Sequence, residues 1–308
     1  MLSWRSIARD LPAAQVPPLD APGEAACQSP DPALCSDPIV FCTVITDALH
    51  LVRGENSVRT ICRKGPVSVN NYIARISMSL EVPEAMHWAI KDVLEGEYEA
   101  GFDGVGLDIL DIGANVGSFA LWATARWPGS IVTSYEPHPG TFEFLKRNTH
   151  QRRDITPVNA ALFPGGQKTA TFMSRFAGDG ESGLAAYAGD TFVEGAQVER
   201  YEVAVVDPAS IASPDIVKID IEGGEGDVLD HIDLSKTSLV LLEYQNRKNR
   251  LQCEARLKAD FDLVDTLEYD WGPLLGQACY RPDLAGDVYG RMFAARKGIN
   301  RMTRSAGR

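Results

Sequence analysis

Apolar and polar positions alternate between two spacings through the middle of the chain. Leu107-Asp108-Ile109-Leu110-Asp111-Ile112 is a short apolar run of the kind buried in a parallel sheet, and after a glycine-punctuated turn Phe119, Leu121, Trp122 and Ala125 recur at helical spacing. The same switch repeats: a strand-like Ile131-Val132-Thr133-Ser134-Tyr135, a helical stretch over 140–150, and a third strand over 155–162. Further on come strand patterns over 216–221 and 238–243, a helix over 249–259, a strand from Phe261, and a final strand over 287–296. Strand-helix alternation of this kind predicts an α/β fold, a parallel sheet with right-handed crossovers and helices on both faces. It breaks between 165 and 206, where β-like runs at 169–173 and 201–206 flank the loop 178–183. An insertion over the carboxyl edge of the sheet is a usual place for an α/β enzyme to receive substrate.

Upstream, the pattern is weaker. Prolines crowd residues 1–37, removing amide donors and disfavouring both helix and ladder, so this reads as a flexible arm. Residues 38–100 form a β-rich and helical lead-in: runs at 39–45 and 57–62 around Gly54-Glu55-Asn56 suggest a hairpin, and 84–94 an amphipathic helix with Met86, Ala89, Ile90 and Val93 on one face. His87 falls beside that stripe and reads as a packed side chain. Residues 101–298 are the main domain and 299–308 a basic tail.

Composition narrows the classes. The 308 residues, 44% hydrophobic and 23% charged, suit a soluble globular chain, and a formal charge of −12 argues against a nucleic-acid backbone or an anionic membrane surface as main partner. The basic stretch 245–250 reads as a solvated helix start. Six cysteines without C-x-x-C and five scattered histidines give no zinc spacing. The charged N-terminus is unlike a signal peptide and no run reaches membrane-span length, so a reduced, cytoplasmic protein is expected. Oligomeric state is left open.

The turn Asp111-Ile112-Gly113-Ala114-Asn115-Val116-Gly117 carries the candidate chemistry. Its glycines permit a tight turn and close approach of a ligand to a helix start. A dinucleotide fingerprint requires further glycines where Asn115 and Ser118 stand, which weakens a pyrophosphate reading. Glu136, nineteen residues past Gly117 at the tip of the second strand, is placed to accept hydrogen bonds from both ribose hydroxyls. Adenosine without pyrophosphate points to S-adenosylmethionine. A nicotinamide oxidoreductase and a non-catalytic adenosyl-ligand-binding protein of the same fold are the alternatives. In Lys218-Ile219-Asp220-Ile221-Glu222-Gly223-Gly224-Glu225, charges alternate with apolar residues, so the later ones belong at or past the strand tip.

Taken with Glu136-Pro137-His138-Pro139 and Asn159-Ala160-Ala161-Leu162, these motifs resemble the FkbM family of S-adenosylmethionine-dependent methyltransferases over about 84–296. The resemblance implies a class I, Rossmann-like, seven-stranded sheet with its last strand antiparallel. It also implies transfer of a methyl group, usually to a hydroxyl of a sugar or secondary metabolite, so the expected partner is a small-molecule or glycan acceptor. Carried over, Asp111, Gly113, Asn115 and Gly117 surround the amino-acid part of the cofactor, Glu136 holds the ribose, and Asn159, Ala161 and Asp220 also contact the cofactor. Lys218, Asp220 and Glu222 face the methyl or the acceptor. Residues 1–83 match no pattern of the family, and Phe163-Pro164 stands where a polar pair is more usual. No metal is expected: Asp220, Glu222 and Glu243 offer hard oxygen ligands, but Lys218 supplies the positive charge among them.

Overall fold

The computed structural model describes residues 96–177, 179–180, 182–188, 198–270, 288–300 and 302, and upstream 41–45, 48–49, 53–54, 57–63, 67–69, 72–74, 77–83 and 93. The proline-rich arm, most of the helix expected over 84–94 with His87, and Cys27, Cys35 and Cys279 lie outside these residues.

The central sheet contains β1 (Asp108–Ile112), β2 (Ile131–Tyr135), β3 (Ile155–Val158), β4 (Ile216–Ile219), β5 (Leu239–Tyr244), β6 (Phe261–Asp270) and β7 (Val288–Arg296). Helices α1 (Ser118–Arg126), α2 (Pro139–Thr149), α3 (Glu225–His231) and α4 (Arg247–Leu257) connect them. The strand order is β3-β2-β1-β4-β5-β7-β6. The first five strands are parallel, and β7 runs antiparallel between β5 and β6. Chain direction across the sheet reverses between β1 and β4, and loops at the carboxyl ends of strands diverge at such a switch point to leave a crevice.

The two faces of the sheet are packed by alternate residues of each strand. Ile109, Ile216, Leu239 and Leu241 share one apolar cluster with Phe119, Trp122 and Trp127. Leu110, Val217, Val240 and Leu242 share the other with Val228 and Leu229 of α3 and Cys253 and Leu257 of α4. Period-two alternation with both faces apolar is what a doubly covered sheet demands.

The structure corrects two sequence expectations. The third strand does not run unbroken to Leu162: it ends at Val158, and Ala161–Leu162 pairs instead with Glu199–Val206 in a separate four-stranded sheet with Thr169–Ser174 and Gly183–Leu184. The break falls at Asn159, whose side-chain amide donates to Glu136 O (2.8 Å) and Pro137 O (3.0 Å) and turns the chain off the main sheet. Upstream, Phe41–Ile45 and Ser57–Arg63 pair in parallel rather than as a hairpin. The chain reverses twice between them, once where Ala48–Leu49 folds back on Val44 and Ile45 and again where Arg53–Gly54 turns into Ser57 and Val58, and two reversals restore direction. Ser77–Val82 adds to this upstream sheet, and its Leu80 and Val82 are buried in the same cluster as Ile109 and Phe119.

Candidate active site

The turn after β1 is shaped by its neighbours. Gly113 (φ 79°) and Gly117 (φ 92°) occupy left-handed backbone, as does Asn115 (φ 49°). A Cβ on Gly113 would fall 1.8 Å from Asp220 O, so only glycine lets the β4 loop cross this closely over the tip of β1. The turn amides are used internally. Gly113 N and Ala114 N both donate to Tyr135 O, Gly117 N donates to Ala114 O, and Asn115 N donates to Glu136 Oε2 at 3.0 Å. These contacts fix the turn to β2 and to Glu136.

Strand register then sets two polar rows along the carboxyl edge. In the first, Ser134, Asp111 and Lys218 are neighbours across β2, β1 and β4. Asp111, fully buried, accepts from Ser134 Oγ at 3.0 Å and lies 3.5 Å from Lys218 Nζ, which donates to Gly113 O at 2.7 Å. The second row, past the strand tips, is Glu136, Gly113, Asp220 and, at the end of β5, Glu243. Lys218 Nζ is also 3.5 Å from Asp220 Oδ2. Burial works against the ammonium, but the fields of Asp220, Asp111 and Glu243 outweigh it and raise the Lys218 pKa, so it stays a cation. Such a charge under a helix is tolerable only because it is paired on several sides.

Glu136 is buried, with Oε1 accepting from His138 N at 2.8 Å. Burial raises its carboxyl to about 8; the two amide donors from His138 and Asn115 pull the other way. Two donors leave part of the carboxylate's accepting capacity open, as ribose hydroxyls would require.

Beyond β4, Asp220 N donates to Ile112 O, and the chain enters a turn through Glu222 (φ 59°), Gly223 and Gly224. Glu225 begins α3 fully buried, accepting from Gly223 N at 2.7 Å and from Asn249 Nδ2, and burial raises it to about 7. It braces the acidic turn from beneath. The four-stranded sheet leans on the same loops: the Tyr187 ring occupies the space where a Gly224 Cβ would stand, Phe163 packs on Tyr187, and the His138 ring meets Tyr201 at 4.7 Å.

The structure therefore gathers Asp111, Gly113, Asn115, Glu136, Lys218 and Asp220. Gly117 heads α1, and Asn159 reaches only the backbone after β2. Ala161 is buried with Phe172, Leu184 and Val203 of the side sheet. Sequence reasoning missed Tyr98, whose buried hydroxyl lies 3.3 Å from Asp220 Oδ2 and 3.4 Å from Glu243 Oε1. Its strand-free surroundings carried no periodic signal.

Strand order and a carboxyl-edge site at the β1/β4 switch point define a class I methyltransferase of Rossmann-like fold. Residues 111–272 match the Methyltransferase FkbM domain, and the chain belongs to that family. It is 26% identical over 202 residues to Methyltransferase 1 of Beauveria bassiana, covering 58% of this chain and 75% of that protein. It is 27% identical over 178 residues to the hexuronic acid methyltransferase AglP of Haloferax volcanii, covering 52% of this chain and 65% of that one. Among solved structures, M. jannaschii TYW2 in complex with AdoMet aligns over 84% of this chain and 92% of its own at 11% identity, with a TM-score of 0.42.

The protein is an S-adenosylmethionine-dependent methyltransferase. The residues present fit that cofactor: the Glu136 carboxylate stands at the tip of β2, and the buried Asn115 Oδ1 has no hydrogen-bond partner among the described residues. None of the helices among the described residues is long and apolar enough to cross a membrane.

Proposed function

We propose that the protein methylates a hydroxyl oxygen of a sugar or related small molecule, with Glu136 holding the cofactor ribose and Asp111, Gly113, Asn115 and Gly117 enclosing its amino-acid end. The observation that carries this reading is the row along the carboxyl edge, in which Glu136, Gly113 and Asp220 are the residues that directly follow the last paired positions of β2, β1 and β4. One S-adenosylmethionine would span it from Glu136 at the ribose to the acidic turn at the sulfonium. The name of the Haloferax volcanii relative supports a carbohydrate acceptor.

S-adenosylmethionine, when bound, supplies an electrophilic sulfonium methyl. The chain's own residues must align the acceptor oxygen and take its proton as the oxygen–carbon bond forms and the carbon–sulfur bond breaks. Asp220, tied to Lys218, is the proposed positioning carboxylate facing the sulfonium. Glu222, on the left-handed turn beyond it, is the proposed base. Lys218 takes the place of a metal among these acids, so activity should survive a chelator.

Labelled S-adenosylmethionine offered with neutral and uronic-acid oligosaccharides tests the reading. Label fixed in an alkali-stable ether is expected, with Glu222→Gln losing about 10²–10⁴ in rate while keeping cofactor affinity, and Asp220→Asn losing most turnover. Alkali-labile ester label would move the acceptor to a carboxylate, and near-normal turnover in both variants would place the base elsewhere.

A further inference from the structure

Tyr98 lies upstream of the residues that match the family domain, yet its hydroxyl reaches the centre of the site. Its ring is fixed on several sides: edge-on to Phe119 of α1 at 5.2 Å, stacked on Phe293 of β7 at 6.1 Å, and with Lys218 Nζ 5.8 Å from its centroid. A ring so held cannot carry its hydroxyl elsewhere. The oxygen sits 3.3 Å from Asp220 and 3.4 Å from Glu243, both longer than the usual 2.7–2.8 Å of an O–H···O bond. A phenol has one hydrogen, so it serves two carboxylates in turn rather than committing to either. Burial, then the fields of Asp220 and Glu243, push its pKa well up, so it is a donor at every working pH.

We infer that Tyr98 is a positioning residue for the methyl donor, holding the Asp220 carboxylate in register beside the sulfonium by a hydroxyl shared with Glu243. This rests on the proposed placement of Asp220. Lys218 Nζ and the Tyr98 hydroxyl both reach Asp220 Oδ2, at 3.5 and 3.3 Å, so that oxygen is held by an ammonium and a phenol together. The consequence is selectivity for charge. S-adenosylmethionine and S-adenosylhomocysteine differ by a methyl and by the positive charge on sulfur, so a well-held Asp220 favours the donor over the spent product. Loss of the hydroxyl weakens the first and spares the second, whereas a packing defect weakens both alike.

The test is calorimetric titration of the full chain with each of the two ligands. Tyr98→Phe keeps the ring contacts and deletes the hydroxyl. It should weaken S-adenosylmethionine about five-fold while S-adenosylhomocysteine changes by less than about two-fold. Asp220→Asn should lower the same ratio, and adding Tyr98→Phe to it should lower the ratio no further, because the two act as one unit. An unchanged ratio in Tyr98→Phe, equal losses for both ligands, or additive effects in the double variant would overturn the role. Should Tyr98→Phe fail to fold, p-aminophenylalanine at position 98 decides: its two hydrogens can serve both carboxylates, so the preference must persist, and a drop overturns the inference. If wild type binds neither ligand, the cofactor reading itself fails. If Asp220→Asn leaves the ratio intact, the placement of Asp220 fails and Tyr98 with it; an intact ratio in Tyr98→Phe alone removes only Tyr98.

Discussion

Glu136 illustrates what a single residue gains from its surroundings. Its place was legible in the sequence, because a carboxylate closing a strand-like run falls where a second β-strand ends; its burial was not, because Asn115 and His138 fold over it only in three dimensions. With its carboxyl raised to about 8, it holds a proton in the folded state at pH values where the unfolded carboxyl, near 4.3, has lost it. The folded state then binds more protons than the unfolded state, so this group makes stability fall as pH rises from about 4.5 to 8. Glu225, raised to about 7, adds a slope of the same sign over the lower part of that window. Glu136→Gln carries no charge to bury. Thermal melts between about pH 5 and 8 should therefore show a flatter decline for the variant than for wild type, and parallel curves would mean that Glu136 is ionised in the fold.

Among the elements, the turns at the tips of β1 and β4 behave as one. The motif Gly113-Ala114-Asn115-Val116-Gly117 announced a strand-turn-helix, and the charges after Ile216 announced a strand tip, but neither motif reveals that Gly113 is the surface on which Asp220 rests. That contact joins residues far apart in sequence. Gly113→Ala forces a Cβ toward Asp220 O at a positive φ, and should destabilise the fold by about 3 kcal/mol or more while removing cofactor binding. Urea unfolding and cofactor titration of the same preparation check this; wild-type stability would show that the loops do not meet. The split third strand belongs to this scale too. Residues 155–162 read as one strand, and the Asn159 side chain, bonded to the backbone after β2, marks where it divides.

For the whole molecule, the upstream strand is built into the catalytic body. Asn148 of α2 accepts from Glu81 N at 2.7 Å and donates to Glu81 O and Val116 O at 2.8 Å, so one amide clasps Ser77–Val82 to the cofactor turn. Arg147 adds an ion pair to Glu81 at 3.2 Å. Residues before 84 resembled no pattern of the family, and short β-rich runs cannot say which neighbours they pair with, so this attachment was illegible. We propose that Ser77–Val82 folds with the methyltransferase domain. Asn148→Ala should cost about 1–3 kcal/mol and lower cofactor affinity through Val116, read by unfolding and titration; a stability loss with unchanged affinity would confine Asn148 to the scaffold. The placement of S-adenosylmethionine along the carboxyl edge is tested most directly by calorimetric titration of wild type and Glu136→Ala. Loss of both Glu136 hydrogen bonds to the ribose hydroxyls should weaken binding by about ten-fold or more; an absence of heat with wild type, or equal affinity for the two proteins, would contradict it.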